Sequence, residues 1–431
     1  MIRGGWQLIP ISESAAFFHE NIKLNHLATN PIWALGHNVK QGLEADETRY
    51  FFYDDEVAEE KVAALYTTVA LTDTSSILNC TKPNIVVVMI ESFTADLINA
   101  LGGDKQTAPQ LEKIIQEGLL FSNIFSSGER TDQAFVSVLS GFPAQPERSI
   151  MRFPDKTRKL PSLPDELSKV GYTTSFYYGG ELGFSNLNSY LINCRFGSIV
   201  GIDAFERNQL NSKWGAHDAF VLARQLHDLN TMKEPFFSFL MTLTSHEPYE
   251  TPIPTPFTGS DPASKFRGSA WYTDKSIGEW FEKAKQQPWF NHTLFVFVAD
   301  HGHILPKNRS YYDISVRHIP LLLAGGALKE EYRNQKIDGI GNQHDLAATV
   351  LSQLRISTEK FVWSSNLLNP RRTHFAYLCM DDAVGWVSDS CTFVYQLQHR
   401  NFLSRMPAAC SADTLTAKSY VQKLMRDFVN Y

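Results

Sequence analysis

The sequence predicts an α/β fold, a doubly wound and mostly parallel sheet with a small antiparallel appendage towards its C-terminus. Three observations predict it. Asn84-Ile-Val-Val-Val-Met-Ile90 is a continuous apolar run closed by Glu91, and Thr293-Leu-Phe-Val-Phe-Val-Ala299 is another, closed by Asp300-His301-Gly302-His303. Runs apolar at every position, not every second one, belong to strands covered on both faces, as in parallel sheets. Strand-like and helix-like stretches alternate from about residue 83 to 354, whereas from about 373 the pattern changes to a period of two (Phe375, Tyr377; Trp386, Ser388; Phe393, Tyr395).

The elements follow in order. Residues 1 to about 50 carry Pro10, Pro31 and little periodicity, and read as an arm on a larger body. Glu56 to Thr68 sets Val57, Val62 and Leu65 on one helical side, and Thr72 to Ser76 is a polar loop before the first strand. Pro109 to Gly118 has proline where helices begin and glycine where they end. Leu119 to Phe125 is a strand running into Ser126-Ser-Gly-Glu-Arg-Thr131, and Ala134 to Leu139 is a helix stopped by Gly141 and Pro143. Leu163 to Val170 is a helix, Thr173 to Tyr178 a strand, and Phe236 to Leu243 a buried strand ending at Thr244-Ser245-His246. A helix over Tyr272 to Ala284 precedes the strand that delivers Asp300; Ile319 to Ala324 is a further strand, and Asn342-Gln343-His344-Asp345 opens a helix through Leu354. An amphipathic helix from Ala412 to Phe428 closes the chain. The expected organisation is an N-terminal arm (1–80), a catalytic α/β region (81–370) and a small sheet with the last helix (371–431).

Composition narrows the function classes. A chain of 431 residues buries a large core. Its net charge of -6 argues against nucleic acid, which calls for a basic face. No apolar window approaches the roughly 18–20 residues of a membrane span, and the start lacks the charged-then-apolar pattern of a signal peptide. The chain therefore reads as cytosolic or as the soluble part of something longer. The five cysteines (Cys80, Cys194, Cys379, Cys391, Cys410) include no Cys-x-x-Cys pair, which argues against a structural zinc site and a disulfide-dense scaffold; a bridge among the last three is the one worth testing.

The chemistry lies at strand ends. Glu91, the hydroxyl-bearing loop 126–131, His246 and Asp300-His301 each follow a predicted buried strand, where open α/β sheets gather their ligands. Each alone is most often a cap or a satisfied core group. Together, two carboxylates, a hydroxyl and an imidazole are what a divalent cation needs to hold and activate an alkoxide nucleophile. The mixed oxygen and nitrogen donors favour Mn2+ or Zn2+ over Mg2+.

On these motifs the sequence resembles the lipoteichoic acid synthase-like (phosphoglycerol transferase) branch of the alkaline phosphatase and sulfatase superfamily. Asn84-Ile-Val-Val-Val-Met-Ile-Glu91-Ser-Phe is similar to the family's first strand with its metal-binding glutamate, and Gly128-Glu-Arg-Thr131-Asp to its nucleophile loop. Ser140-Gly-Phe-Pro resembles the segment that follows, Phe176-Tyr-Tyr-Gly-Gly-Glu-Leu-Gly-Phe184 the substrate loop, Thr242-Leu-Thr-Ser-His246 the strand with a substrate-binding histidine, and Ala299-Asp300-His301-Gly the remaining metal ligands. The resemblance implies Thr131 as nucleophile in place of Ser126 or Ser127, a metal on Glu91, Thr131, Asp300 and His301, and substrate contacts from His246, Arg130, Glu181 and Phe184.

It also implies a phosphodiester on a lipid headgroup as substrate, a phosphothreonine intermediate, and an extracytoplasmic location for a domain tied to a bacterial membrane by helices outside this chain. The chain departs from the family where Phe184-Ser185-Asn186-Leu187 replaces an aromatic followed by Trp-Asn-Arg, so the phosphate-gripping arginine is missing. His303 is an addition with ligand potential for a second metal, together with His217, His318 and His344. Competing readings are a phosphoethanolamine transferase, a sulfatase-like hydrolase and an inactive polymer- or lipid-binding domain. A sulfatase needs cysteine or serine in a Cys/Ser-x-Pro-x-Arg context, and none of the five cysteines has it.

Overall fold

The computed structural model describes residues 16–19, 22–32, 35–36, 50–66 and 76–431. Most of the expected N-terminal arm, and residues 72–75 of the polar loop, lie outside the described residues. The strands, in chain order, are β1 (Asn84–Ile90), β2 (Leu119–Phe125), β3 (Thr173–Tyr178), β4 (Ser198–Val200), β5 (Phe236–Met241), β6 (Thr293–Ala299), β7 (His318–Ala324), β8 (Gln335–Ile337), β9 (Gly341–Asn342), β10 (Phe375–Met380), β11 (Ala383–Ser388), β12 (Thr392–Gln396) and β13 (Asn401–Met406). The large sheet runs β4-β3-β5-β1-β6-β7-β2-β8, with β9 also on β2; the small one runs β10-β11-β12-β13 and is antiparallel throughout.

β1 sits inside the large sheet, parallel to β5 and β6. Ile85 to Ile90 are each 0% exposed, and at ~1.5–3 kcal/mol for each large apolar side chain removed from water this run alone anchors the sheet. β3, β4, β8 and β9 are also parallel to their partners, whereas β7 runs antiparallel to both β6 and β2. That reversal places the start of β7 beside the end of β2, where Phe125 pairs with His318. The long connection 301–317 consequently crosses the same edge of the sheet as the loops after β1, β2, β3 and β5.

Two helices are longer than their periodicity suggests. The helix expected from Tyr272 begins at Pro262 and runs to Ala284, with Asp261 as its cap accepting a hydrogen bond from Ser264 N at 3.0 Å. The helix expected from Ala134 begins at Thr131, so the candidate nucleophile is its first residue. One hydrophobic core extends without a break from β1 to the inward faces of β10–β12 and the helix Ser411–Asn430. Gln422 of that helix accepts from the backbone N–H groups of Phe52 (2.9 Å) and Tyr53 (3.1 Å), and its Nε2 donates to Tyr53 O. Cys391 and Cys410 form a disulfide between the β11–β12 turn and the start of the last helix, while Cys379 is buried and free.

Candidate active site

The site begins where β1 stops. Ser92 turns the chain with a left-handed backbone (φ +52°), a conformation uncommon outside glycine and frequent at functional turns. Its N–H donates to Asp300 Oδ1 at 2.7 Å and its hydroxyl to Glu91 Oε1 at 2.7 Å, so one residue orients both carboxylates. His301 N also donates to Asp300 Oδ1, at 2.6 Å. The His301 ring places Nδ1 2.8 Å from Gly302 O; since a carbonyl only accepts, Nδ1 carries the proton and Nε2 presents its lone pair to the carboxylates. Gly302 itself is obligatory, because a Cβ there would lie 1.7 Å from Val316 O.

Thr131 enters from the opposite side. Its Oγ1 lies 2.9 Å from Asp300 Oδ2 and 3.4 Å from Glu91 Oε2, and His301 Nε2 lies 3.4 Å from Asp300 Oδ2. Being the first residue of a ten-residue helix, its oxygen sits where unpaired N–H groups and the helix dipole favour negative charge. Glu91, Asp300 and His301 each offer a ligand atom within 4.8 Å of the others. Glu91 is 4% and Asp300 0% exposed, and among the described residues His301 is the one basic side chain in ion-pair range of either. Burial, then the neighbouring Asp300 charge, pushes the Glu91 carboxyl well above its ordinary value. Two buried carboxylates, a hydroxyl and an oriented imidazole with no compensating lysine or arginine fit a divalent cation.

Sequence reasoning missed what holds this arrangement. The fully buried Gln343 donates Nε2 to Asp300 O (2.7 Å) and Ala299 O (3.2 Å) and accepts from Ser127 N at 3.0 Å, joining the end of β6 to the loop 126–131. Ser127 Oγ is committed to Ser137 Oγ at 2.6 Å inside the core. Glu129 pairs with the buried Arg317 at 2.7 Å and with the Tyr311 hydroxyl. Arg130 is taken by Asp381, at 2.6 Å, from the β10–β11 turn of the small sheet. No periodicity signals these pairings, and those of Glu129 and Arg130 span 182 to 251 residues.

A cleft opens over Thr131, lined by Glu91, Phe135, Tyr178, Trp214 and Leu243 among others, and by the predicted Glu181, Phe184 and His246. Leu187, which stands where an arginine was expected, lines it too, and among the described residues no lysine or arginine does. His246 packs edge-on against Trp214 at 4.8 Å, and its Nδ1 meets Glu247 O at 2.9 Å, which leaves Nε2 for other partners. Trp214 was not singled out from sequence; it lies in a polar loop with no local signal. His303 has both ring nitrogens engaged, with Leu305 N at 3.0 Å and Tyr249 Oη at 3.3 Å. His217 meets Thr244 Oγ1 at 3.2 Å, His318 meets Ser122 O at 2.6 Å, and His344 is fully buried with neither nitrogen hydrogen-bonded.

A model of the sulfatase family matches residues 83–356, well over half the chain and every candidate ligand. The chain belongs to the sulfatase family. Among curated relatives of this sulfatase-family chain, lipoteichoic acid synthase 2 of Bacillus subtilis (strain 168) is 24% identical over 313 residues, covering 66% of this chain and 46% of that protein. The chain spans about half the length of the curated relatives it matches. Many solved structures share its fold. A protein in the alkaline phosphatase superfamily from Vibrio parahaemolyticus aligns with a TM-score of 0.74 at 22% identity, over 90% of this chain and 97% of that one. The lipoteichoic acid synthase LtaP from Listeria monocytogenes aligns with a TM-score of 0.68 at 18% identity, over 87% and 98%.

Proposed function

We propose that this sulfatase-family chain is a metal-dependent phosphoglycerol-type transferase or phosphodiesterase that acts on a lipid headgroup through a phosphothreonine at Thr131. The observation that carries this reading is the Thr131 hydroxyl at a helix N-terminus, 2.9 Å from Asp300 and 3.4 Å from Glu91. The names of the relatives point the same way. A divalent cation, Mn2+ or Zn2+ ahead of Mg2+, held by Glu91, Thr131, Asp300 and His301, would supply Lewis acidity that lowers the hydroxyl's pKa and draws charge from the phosphoryl oxygens.

Thr131 Oγ1 attacks phosphorus as its proton passes to Asp300 Oδ2, 2.9 Å away; the bond to the lipid alcohol breaks, and that alcohol leaves with the Nε2 proton of a doubly protonated His246, whose Nδ1–H stays on Glu247 O. A second alcohol, or water, then attacks the phosphothreonine and yields its proton to His246 Nε2, while Thr131 leaves with the proton held by Asp300. Glu181 and Phe184 bound the headgroup, and Arg130, neutralised in part by Asp381, contributes positive potential beside the nucleophile. The Cys391–Cys410 disulfide fits an oxidising compartment outside the cytoplasm, and helices beyond this chain would hold the domain near its lipid.

Mass spectrometry of mixed phospholipid vesicles incubated with the protein tests the reading. Diacylglycerol formed only when phosphatidylglycerol is present supports it. Consumption of phosphatidylethanolamine instead moves the chain to phosphoethanolamine transfer, and turnover of sulfate esters alone removes phosphoryl transfer altogether. Equal inertness of wild type and Thr131→Ala towards all of these assigns the domain to binding.

A further inference from the structure

The second histidine of Asp300-His301-Gly302-His303 is set in the opposite tautomer from the first. His303 Nδ1 faces the backbone N–H of Leu305 at 3.0 Å. An N–H only donates, so Nδ1 carries the lone pair and the ring proton sits on Nε2. Nε2 lies 3.3 Å from Tyr249 Oη, so the tyrosine accepts there and its own O–H proton is left to donate elsewhere. The imidazole cannot rotate out of this role easily, because it is stacked on Phe266 at 4.4 Å and 27°. Tyr249 is equally fixed. Its ring meets Phe266 edge-on at 5.5 Å, its N–H closes a turn onto His246 O at 2.9 Å, and its backbone is left-handed at φ +65°.

Such strain in a bulky residue persists where the surroundings hold it for a purpose. The turn sets the tyrosine three residues past His246, which lines the cleft, and its hydroxyl touches the residue two beyond the metal-site His301. The phenol thus links the segment that carries His246 to the segment that carries His301, and among the described residues its own proton has no acceptor.

We propose that Tyr249 is a substrate-binding hydrogen-bond donor, giving its O–H to an oxygen of the phosphodiester or of the alcohol esterified to it, and that His303 is its positioning residue rather than a metal ligand. The inference rests on the phosphodiester reading above. It assigns chemistry to a hydroxyl that phenylalanine would lack, and it gives His303 a role through Tyr249 alone.

The test is a double-mutant cycle on a nitrophenyl phosphodiester and on a lipid diester, with thermal midpoint and bound metal measured for every variant. Tyr249→Phe should lower kcat/KM by about 10-fold or more, the worth of a hydrogen bond to a charged or polarised oxygen, at unchanged midpoint and metal content. His303→Leu should lower it less, and Tyr249→Phe/His303→Leu should equal Tyr249→Phe alone, since the histidine acts only through the hydroxyl. A larger Tyr249→Phe loss on the alkyl lipid ester than on the nitrophenyl ester supports donation to the alcohol; equal losses support donation to the phosphoryl group. Full activity in Tyr249→Phe, additive losses in the cycle, or metal lost from His303→Leu would overturn the proposal. Wild-type turnover and its abolition in Thr131→Ala report the phosphodiester reading separately, so failure of one is not failure of the other.

Discussion

Gln343→Leu removes the clamp between the two halves of the site. The side chain is 0% exposed and makes three hydrogen bonds, at 2.7, 3.2 and 3.0 Å, to Asp300 O, Ala299 O and Ser127 N. Leucine fills nearly the same volume, so the loss is polar: a buried N–H and two carbonyls lose a partner, at about 1–3 kcal/mol for each group left unsatisfied. Allowing for relaxation and for strand partners that the carbonyls retain, the variant should lose about 3 kcal/mol. Urea denaturation should read this as a lower midpoint at unchanged slope.

The kinetic effect follows from geometry. Asp300 and the nucleophile loop are no longer registered to one another, and a shift of about 1 Å in a reacting group costs on the order of 100-fold. The expected result on a phosphodiester is a fall mainly in kcat. Gln343→Glu keeps the shape and the acceptor for Ser127 N, yet turns a carboxylate towards two carbonyl oxygens, so its loss should shrink as pH falls and the acid protonates. A Gln343→Leu protein within about 0.5 kcal/mol of wild type and equal in kcat would refute the reasoning.

Four further outcomes are expected. Thr131→Ala should abolish diester cleavage, while Ser127→Ala, which loses the 2.6 Å contact to Ser137 Oγ and the 3.3 Å bond from Ala144 N, should keep most activity and lose about 1–2 kcal/mol of stability. Elemental analysis should find one divalent metal per chain, and Glu91→Gln should reduce it along with activity. Burial holds the His344 imidazole below its ordinary value, so the unfolded chain takes the proton first; stability present above about pH 6.5 should fall as pH drops, by at most ~1.4 kcal/mol per unit. His344→Leu should flatten that acid limb in pH-dependent denaturation. Cys391→Ser should cost about 3 kcal/mol, the loop-closure value for a bridge of 19-residue separation.

The candidate carboxylates Glu91 and Asp300 were legible in the sequence because two physical signals coincide at β1 and β6: a run apolar at every position, then a carboxylate at its end. The direction of β7 was not legible, since His318–Ala324 has the same apolar content whichever way it runs; only the length of the connection before it decides. The start of the helix at Pro262 had a readable signal in Asp261-Pro262, a cap followed by proline at the first helical position, but its first turns alternate polar and small residues and carry no apolar stripe. Gln343, Trp214 and Tyr249 escaped for a common reason. Each owes its place to a partner far along the chain, and no local period marks it. Arg130 illustrates the limit from the other side: its type and position were read, but its carboxylate partner stands in a sheet 251 residues on.

That last pairing has a consequence in time. During synthesis the nucleophile loop emerges early, yet Asp381, which takes Arg130, and Cys379, whose N–H bonds Ser127 O at 2.7 Å, are translated some 250 residues later. β1 likewise waits for β5 and β6, which begin 152 and 209 residues further on, and long-range pairing of this kind is paid for only at the end. A nascent chain therefore carries Thr131 without the groups that brace its loop until β10 and the turn after it have been made.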